Sequence, residues 1–318
     1  MHIALLGNPN VGKSVLFSRL TGVGVISSNY PGTTVEFLEG TVVRDGVKIH
    51  IHDLPGTYSL SGESEDELVA IRMMAEDDPD CVLAVIDATR LEQGMTLIFQ
   101  ILELGYPTVL ALNFMDVARR RMQIDVSALE EALGIPVVPT VATTGEGLEE
   151  IADILAKGKA RRSDFKVRYD GHIEDYLREL ESMVDEDIGY PVRGALLKLM
   201  EGNRFFTERF PDRVKEKVEK LRGEFHAVHG ETLDVHINRD RFGEAGKLVS
   251  EVVERLDYTP SISERVSDLT LRMSTGIPIL LLVLGGIFAS VIYVGAWLDG
   301  VMMEAYSVSY THLTLPTN

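Results

Sequence analysis

The octapeptide GNPNVGKS at residues 7–14 constrains this chain's fold more than any other stretch. It has the spacing GxxxxGK[ST], follows the apolar run HIALL (2–6) and opens the helix-like segment KSVLFSRL (13–20), which reads as strand, loop and helix. Each residue type has a mechanical job. Gly7 and Gly12 let the backbone curl so that successive N–H groups face an anion; Lys13 neutralises phosphate oxygens; the Ser14 hydroxyl can ligate Mg2+. The N-terminus of the following helix favours the same anion. Residues Gly7, Asn8, Pro9, Asn10, Val11, Gly12, Lys13, Ser14 and Val15 are therefore the candidate phosphate cradle. The loop predicts a P-loop nucleotide hydrolase, with ATP and GTP both open.

Three further motifs follow in order. Asp53, Leu54, Pro55 and Gly56 end the apolar strand 47–52, which places the Asp53 carboxylate where it can hold the metal shell and the Gly56 N–H where it can sense a γ-phosphate. Asn113, Phe114, Met115 and Asp116 close another apolar strand, 108–112. An NxxD there suits guanine, whose N1–H and exocyclic amine both donate to a carboxylate; adenine offers no such pair. Between the first two motifs lies NYPGTT (29–34), whose Gly32, Thr33 and Thr34 form a loop able to close Thr34 over Mg2+. Alone, DLPG reads as a strand-to-turn exit and NFMD as a helix cap. Their joint occurrence after a P-loop points to GTP.

The segments GNPNVGKS, NYPGTTVEFLEG, DLPGTYSLS and NFMD resemble those of the ferrous iron transport protein B family, whose cytoplasmic N-terminal part is a Ras-like G domain. Residues 241–279 are similar to that family's junction between cytoplasmic and membrane parts. The resemblance implies a GTPase with GTP/GDP, a helical domain that influences nucleotide release, and a ferrous iron permease. It also implies a small cytoplasmic accessory protein and a homo-oligomer as partners, and an inner (plasma) membrane location with the G domain in the cytoplasm.

Departures from the common pattern carry expectations of their own. Phe114 stands where NKxD motifs have Lys, so weaker nucleotide affinity and faster release are expected. The last guanine-contacting loop matches Val141, Ala142 and Thr143, with Ala142 in place of the more usual Ser. Thr57 and Tyr58 follow Gly56 where Ras-like proteins place a water-orienting Gln, so intrinsic hydrolysis is expected to be slow. Asn10 occupies the position that in potassium-activated G proteins helps hold K+ against the phosphates. Lys13, Thr34 and Asn10 are thus the candidate catalytic groups, with Ser14, Thr34 and Asp53 on Mg2+.

Strands expected at 2–6, 41–44, 47–52, 81–87, 108–112 and 137–140 alternate with amphipathic stretches, the mark of an α/β sheet covered on both faces. Arg44-Asp45-Gly46-Val47 predicts a hairpin. The fold expected is a Ras-like P-loop G domain, mostly parallel with helices on both faces (residues 1–160), then a small all-α helical domain of four or five helices (161–258). A juxtamembrane linker (259–272) and one transmembrane helix (273–298) complete it. A net charge of −18 opposes a nucleic-acid partner. Cys81, the single cysteine, excludes an internal disulfide and reads as buried filler. The first strand begins at residue 2, so no signal peptide is expected.

His226 and His229 lie three apart on a charged helix and are expected on its exposed surface rather than on a metal. His50 and His52 are expected on a strand's polar side, and the acidic run 63–67 at a solvated helix N-terminus. The uncharged run 273–298 carries Tyr293 and Trp297 near its far end and follows Arg265 and Arg272, while Asp299 and Glu304 come after it. It is read as a bilayer span with the G domain on the cytoplasmic side. One span cannot conduct an ion, so further permease spans of the same protein are expected beyond residue 300. The polar end from residue 307 resembles translated vector sequence. Two other readings remain open: a soluble assembly GTPase of the ribosome or tRNA type, and a single-span signalling GTPase.

Overall fold

The computed structural model describes residues 1–22, 26–29, 36–62, 64–256 and 262–314. By contact density the chain divides into Met1–Leu256 and Asp257–Asn318.

In the first unit the strands are β1 (His2–Gly7), β2 (Ile26–Asn29), β3 (Glu36–Arg44), β4 (Val47–Asp53), β5 (Cys81–Asp87), β6 (Thr108–Asn113), β7 (Met122–Ile124), β8 (Val137–Pro139) and β9 (Val253–Arg255). Seven of them form one sheet in the order β2-β3-β4-β1-β5-β6-β8. Pairings from β4 through β8 are parallel; β2-β3 and β3-β4 are antiparallel. The hairpin between β3 and β4 turns at Asp45 and Gly46, both at positive φ (51° and 79°), as a two-residue turn matched to strand twist requires.

Period-two alternation sends neighbouring residues to opposite faces. Ile3 and Leu5 join a cluster with Leu16, Phe17, Ile151 and Leu155. That face is covered by α1 (Lys13–Thr21) and, from later in the chain, by residues 148–156. Ala4 and Leu6 join the larger cluster on the other face, where α2 (Glu65–Asp77) and α3 (Leu91–Glu103) pack. The remaining helices of this half are α4 (Met115–Ala118), α5 (Val126–Leu133) and α6 (Leu148–Ala156). This is the Ras-like sheet expected from the sequence, extended by β2 at one edge.

Five helices follow: α7 (Gly171–Glu181), α8 (Val192–Met200), α9 (Arg204–Thr207), α10 (Asp212–His229) and α11 (Leu233–Val252). Side-chain caps start several elements: Asp170 accepts from the Ile173 N–H, Asn203 from those of Phe205 and Phe206, each cap contributing about 1 kcal/mol. The apolar faces of these helices are continuous with the sheet's larger cluster, which runs from Ala4 to Val252. The two-stranded pair β7-β9 ties the end of α11 back to the first half. Neither β7 nor β9 was expected, because each is three residues long with little burial.

The second unit holds α12 (Ile262–Leu271), where a linker was expected, and α13 (Met273–Thr314). The window Met273–Gly300 has a mean hydropathy of 2.5 and none of it is buried, so it is long and apolar enough to cross a membrane. The helix continues past residue 298 to Thr314, and Pro278 is tolerated in its second turn.

Candidate nucleotide site

The carboxyl ends of β1, β4, β5 and β6 meet along one edge of the sheet, the place where open α/β sheets present their ligand crevice. Register puts Leu5 opposite Asp53, Gly7 opposite Val85 and Asp87 opposite Asn113. Residues far apart in sequence, the phosphate loop, the DLPG segment and the NFMD segment, are thereby gathered at one edge.

The phosphate loop is held in shape from several sides. Gly12, the residue before α1, adopts φ 84° and ψ 16°, a left-handed conformation that glycine enters without steric cost. A Cβ there would lie 2.4 Å from Asn113 Nδ2. Lys13 Nζ ion-pairs with the Asp53 carboxylate and donates to the Leu54 carbonyl at 2.5 Å. Burial raises the Asp53 carboxyl above its ordinary value, and Lys13 works against that rise. Asn10, with φ 65°, Ser14 and Val15 are exposed, and Asn8 and Val11 buried. Asn8 and Asn10 line a cleft of about 270 Å³ together with Tyr58, Asp87, Arg90 and Gln93. Asn8 Oδ1, buried in its wall, is an acceptor without a hydrogen-bond partner among the described residues.

Asn113 does structural work in this arrangement. Its Nδ2 donates to the Val11 carbonyl at 2.8 Å and its Oδ1 accepts from the Ala142 N–H at 2.9 Å, so one buried amide locks the phosphate loop to the 141–143 turn. Phe114 sits at φ 62°, a strained conformation for a bulky side chain; its ring edge lies 3.6 Å from where a Gly12 Cβ would stand. Asp116, one residue into α4, is exposed. Val141 and Ala142 are buried and Thr143 is exposed; its carbonyl accepts from Arg19 at 2.5 Å. The loop containing Gly32, Thr33 and Thr34 lies outside the described residues.

Beyond Gly56, Thr57 is buried and its hydroxyl donates to the Ser59 carbonyl at 2.7 Å. Glu67 folds back to accept from the Ser61 hydroxyl and the Gly62 N–H, so the acidic run at the start of α2 shapes this loop as well as facing solvent. His226 and His229 are exposed, and Cys81 is buried, its thiol pushed up to about 12 by burial.

Three residues the sequence reading passed over connect this loop to the helical segment. Gln100 Oε1 accepts from the Leu60 N–H (2.9 Å), the Ser59 hydroxyl (3.1 Å) and Lys198 Nζ (2.6 Å). Asn203 Nδ2 donates to the Leu60 carbonyl at 3.1 Å. Lys198 also pairs with Glu201, and Arg241 with Glu201 and Glu103, all of them buried. Burial alone would raise the Glu201 carboxyl, but Arg241 and Lys198 outweigh it and hold it below the usual carboxylate range. The signals were single polar residues inside apolar helical runs, IFQIL and LLKLM.

Comparison with known proteins matches this geometry. A family model described as ferrous iron transport protein B matches residues 1–155, and one described as FeoB cytosolic helical domain matches residues 169–254. The Fe(2+) transporter FeoB of Shigella flexneri is 32% identical over 309 residues, covering 94% of this chain and 39% of its own length. The Fe(2+) transport protein A/Fe(2+) transporter FeoB fusion protein of Porphyromonas gingivalis is 39% identical over 223 residues, 66% of this chain and 26% of its own length. The chain thus spans about two-fifths or less of these curated relatives. Among solved structures, the cytosolic domain of L. pneumophila FeoB superposes with a TM-score of 0.71 at 32% identity, covering 80% of this chain and 100% of that one. The cytosolic domain of the T. maritima FeoB iron transporter in its GMPPNP form gives 0.68 at 31%, covering 80% and 99%. With a whole solved cytosolic domain reproduced in both halves of its first unit, the chain belongs to the ferrous iron transport protein B family.

Proposed function

We propose that residues 1–258 bind and hydrolyse GTP as the cytoplasmic regulatory part of a ferrous iron transporter of the inner (plasma) membrane. In this reading 1–160 is the G domain, 161–258 the helical regulatory domain, and the apolar stretch of α13 a bilayer span beside further permease spans. The observation that carries it is Asn113, whose single amide joins the phosphate loop at Val11 to the 141–143 turn and leaves Asp116 exposed beside them. A base held between Asp116 and that turn, with its phosphates over Gly7–Ser14, is positioned by one rigid element.

The chain's own groups then have defined tasks. Lys13, now shared between Asp53 and Leu54, turns to the β- and γ-phosphate oxygens, where a cation in a water-poor site stabilises developing charge. Ser14, Asp53 and Thr34 are hard oxygen donors suited to hold Mg2+, which would supply neutralisation of charge on the phosphates. Gly56 reports the γ-phosphate through its N–H. Thr57, with its hydroxyl committed to Ser59 and its N–H to the Gly7 carbonyl, has no side-chain carboxamide to orient water, which supports slow intrinsic hydrolysis. Asn10 is the candidate K+ ligand, and the unpartnered Asn8 Oδ1 in the same cleft fits a cation better than a phosphate. Because Gln100 and Asn203 grip Leu60 just past the switch, movement there is transmitted to the helical domain, which supports its role in nucleotide release. The small accessory protein and the homo-oligomer remain part of this proposal through family membership.

Phosphate release from GTP tests it. The wild type is expected to turn over slowly, faster in K+ than in Na+ at saturating nucleotide, and Lys13→Ala to lose turnover at least 100-fold. ATP turnover equal to GTP turnover would refute the reading.

A further inference from the structure

A second cluster of ligand-bearing groups lies in the helical segment, away from the sheet edge. Asp170 begins α7, and His236 and Asp240 are one turn apart on α11. One ligand atom from each lies within 4.8 Å of the other two. His236 Nε2 is 2.5 Å from Asp170 Oδ2 and 3.9 Å from Asp240 Oδ2. His236 is 5% exposed.

We propose that Asp170, His236 and Asp240 form a binding site for a divalent transition cation of the Zn2+ or Fe2+ class. Four observations support it. The two measured separations straddle the roughly 3.4 Å that tetrahedral ligands take around a metal at about 2.1 Å, so shifts of under about 1 Å complete the set. Both carboxylates are already oriented: Asp170 Oδ1 accepts from the Ile173 N–H, and Asp240 Oδ2 from the Asp170 N–H, each at 2.9 Å. The far nitrogen of the imidazole, Nδ1, faces Glu231 Oε1 at 2.7 Å, the carboxylate-histidine arrangement that fixes ring orientation in metal sites. Finally, Asp170, Asp240 and Glu231 against the single guanidinium of Arg239, which contacts both Glu231 and His236, leave two negative charges for a dication to balance.

The donor set selects the cation. One imidazole with two carboxylates suits Zn2+, Fe2+ or Mn2+ rather than Mg2+ or Ca2+, and the lack of thiolate disfavours Cu(I). The cation takes the place of the proton between Nε2 and Asp170, and that proton leaves to solvent. A fourth position stays open towards water or towards His229, whose ring centroid is 6.2 Å from that of His236 and 5.1 Å from that of His172. A bound cation would staple the start of α7 to the first turns of α11, the helix that also carries Arg241.

The test is calorimetric titration of the full chain in detergent, stripped of metal, with Zn2+ and separately with Mg2+. The expected result is one Zn2+ site that is insensitive to millimolar Mg2+. Asp240→Asn and His236→Gln should each weaken that site at least 10-fold, and Glu231→Gln by about 10-fold, with circular dichroism unchanged. Glu231→Gln keeps all three ligands, so it separates metal binding from loss of fold. Absence of Zn2+ binding, or equal binding by wild type and all three variants, overturns the proposal.

Discussion

Replacing Lys198 with methionine is the sharpest probe of how the helical segment is held to the sheet. The ammonium is fully buried and donates to Gln100 at 2.6 Å and to Glu201 at 2.7 Å; Arg241 closes the cluster onto Glu201 and Glu103. Two cations and two carboxylates make it neutral. Methionine fills the volume of the lysine stem but leaves one net negative charge out of water. Removing one partner of a buried pair costs about 3–5 kcal/mol, and the low end applies because Arg241 still faces both carboxylates. With a urea dependence of about 3 kcal/mol per molar, the unfolding midpoint of residues 1–258, followed by circular dichroism, should fall by about 1 M. Glu201→Gln alone should cost a similar amount by leaving an excess cation. The double variant Lys198→Met/Glu201→Gln returns the cluster to neutrality, so its cost should be smaller than the sum of the single costs by about 2 kcal/mol. A midpoint unchanged by Lys198→Met, or strict additivity in the double variant, would refute the neutral-cluster reasoning.

Two further expectations concern single residues. Gly12→Ala forces a side chain into φ 84° and places Cβ 2.4 Å from Asn113 Nδ2, so the melting temperature should drop by about 5 °C, from a cost of about 1–2 kcal/mol, with nucleotide affinity falling in parallel; an unchanged melting point would show that the loop is not fixed there. Burial alone would lower the His236 imidazole, but its hydrogen bonds to Glu231 and Asp170 outweigh this and raise it above the ordinary value, so its stabilising contribution is complete below pH 6.5 and lost as pH rises through the raised value. In EDTA, thermal melts of the wild type should lose stability relative to His236→Gln as pH rises above 6.5, and parallel curves would contradict that sign.

How much of this was legible in the sequence depended on distance along the chain. The phosphate loop could be read because its pattern lies in eight consecutive residues, in which Gly12 is required by its left-handed φ of 84° and Gly7, at the end of β1, by the Val85 carbonyl 2.4 Å from where a Cβ would stand. DLPG and NFMD were legible because parallel strands are apolar runs whose ends are sharply marked, and register then brings those ends together. The Asn113 lock was half legible: the residue was singled out for the base, while its bonds to Val11 and Ala142 depend on tertiary closure. Gln100, Lys198 and Arg241 were hidden by their helical setting, since a polar or charged residue on a helix is ordinarily solvated, and only the packing of α8 and α11 against α3 buries them. The Asp170-His236-Asp240 cluster joins residues more than sixty positions apart with no motif spacing. His226 and His229, expected on an exposed helix surface, are exposed. Strands β7 and β9, each three residues long, carry too little alternation to be read.

Guanine readout by Asp116 is the claim on which the functional assignment turns, and a specificity swap measures it directly. If Asp116 accepts from the base's two donors as proposed, Asp116→Asn replaces that carboxylate with an amide matched to xanthine. Equilibrium binding of GTP and xanthosine triphosphate to wild-type and variant residues 1–258 should show preference for GTP in the first and for xanthosine triphosphate in the second. Tight GTP binding retained by Asp116→Asn, with no gain for xanthosine triphosphate, would contradict the assignment of this edge of the sheet as a guanine-nucleotide site.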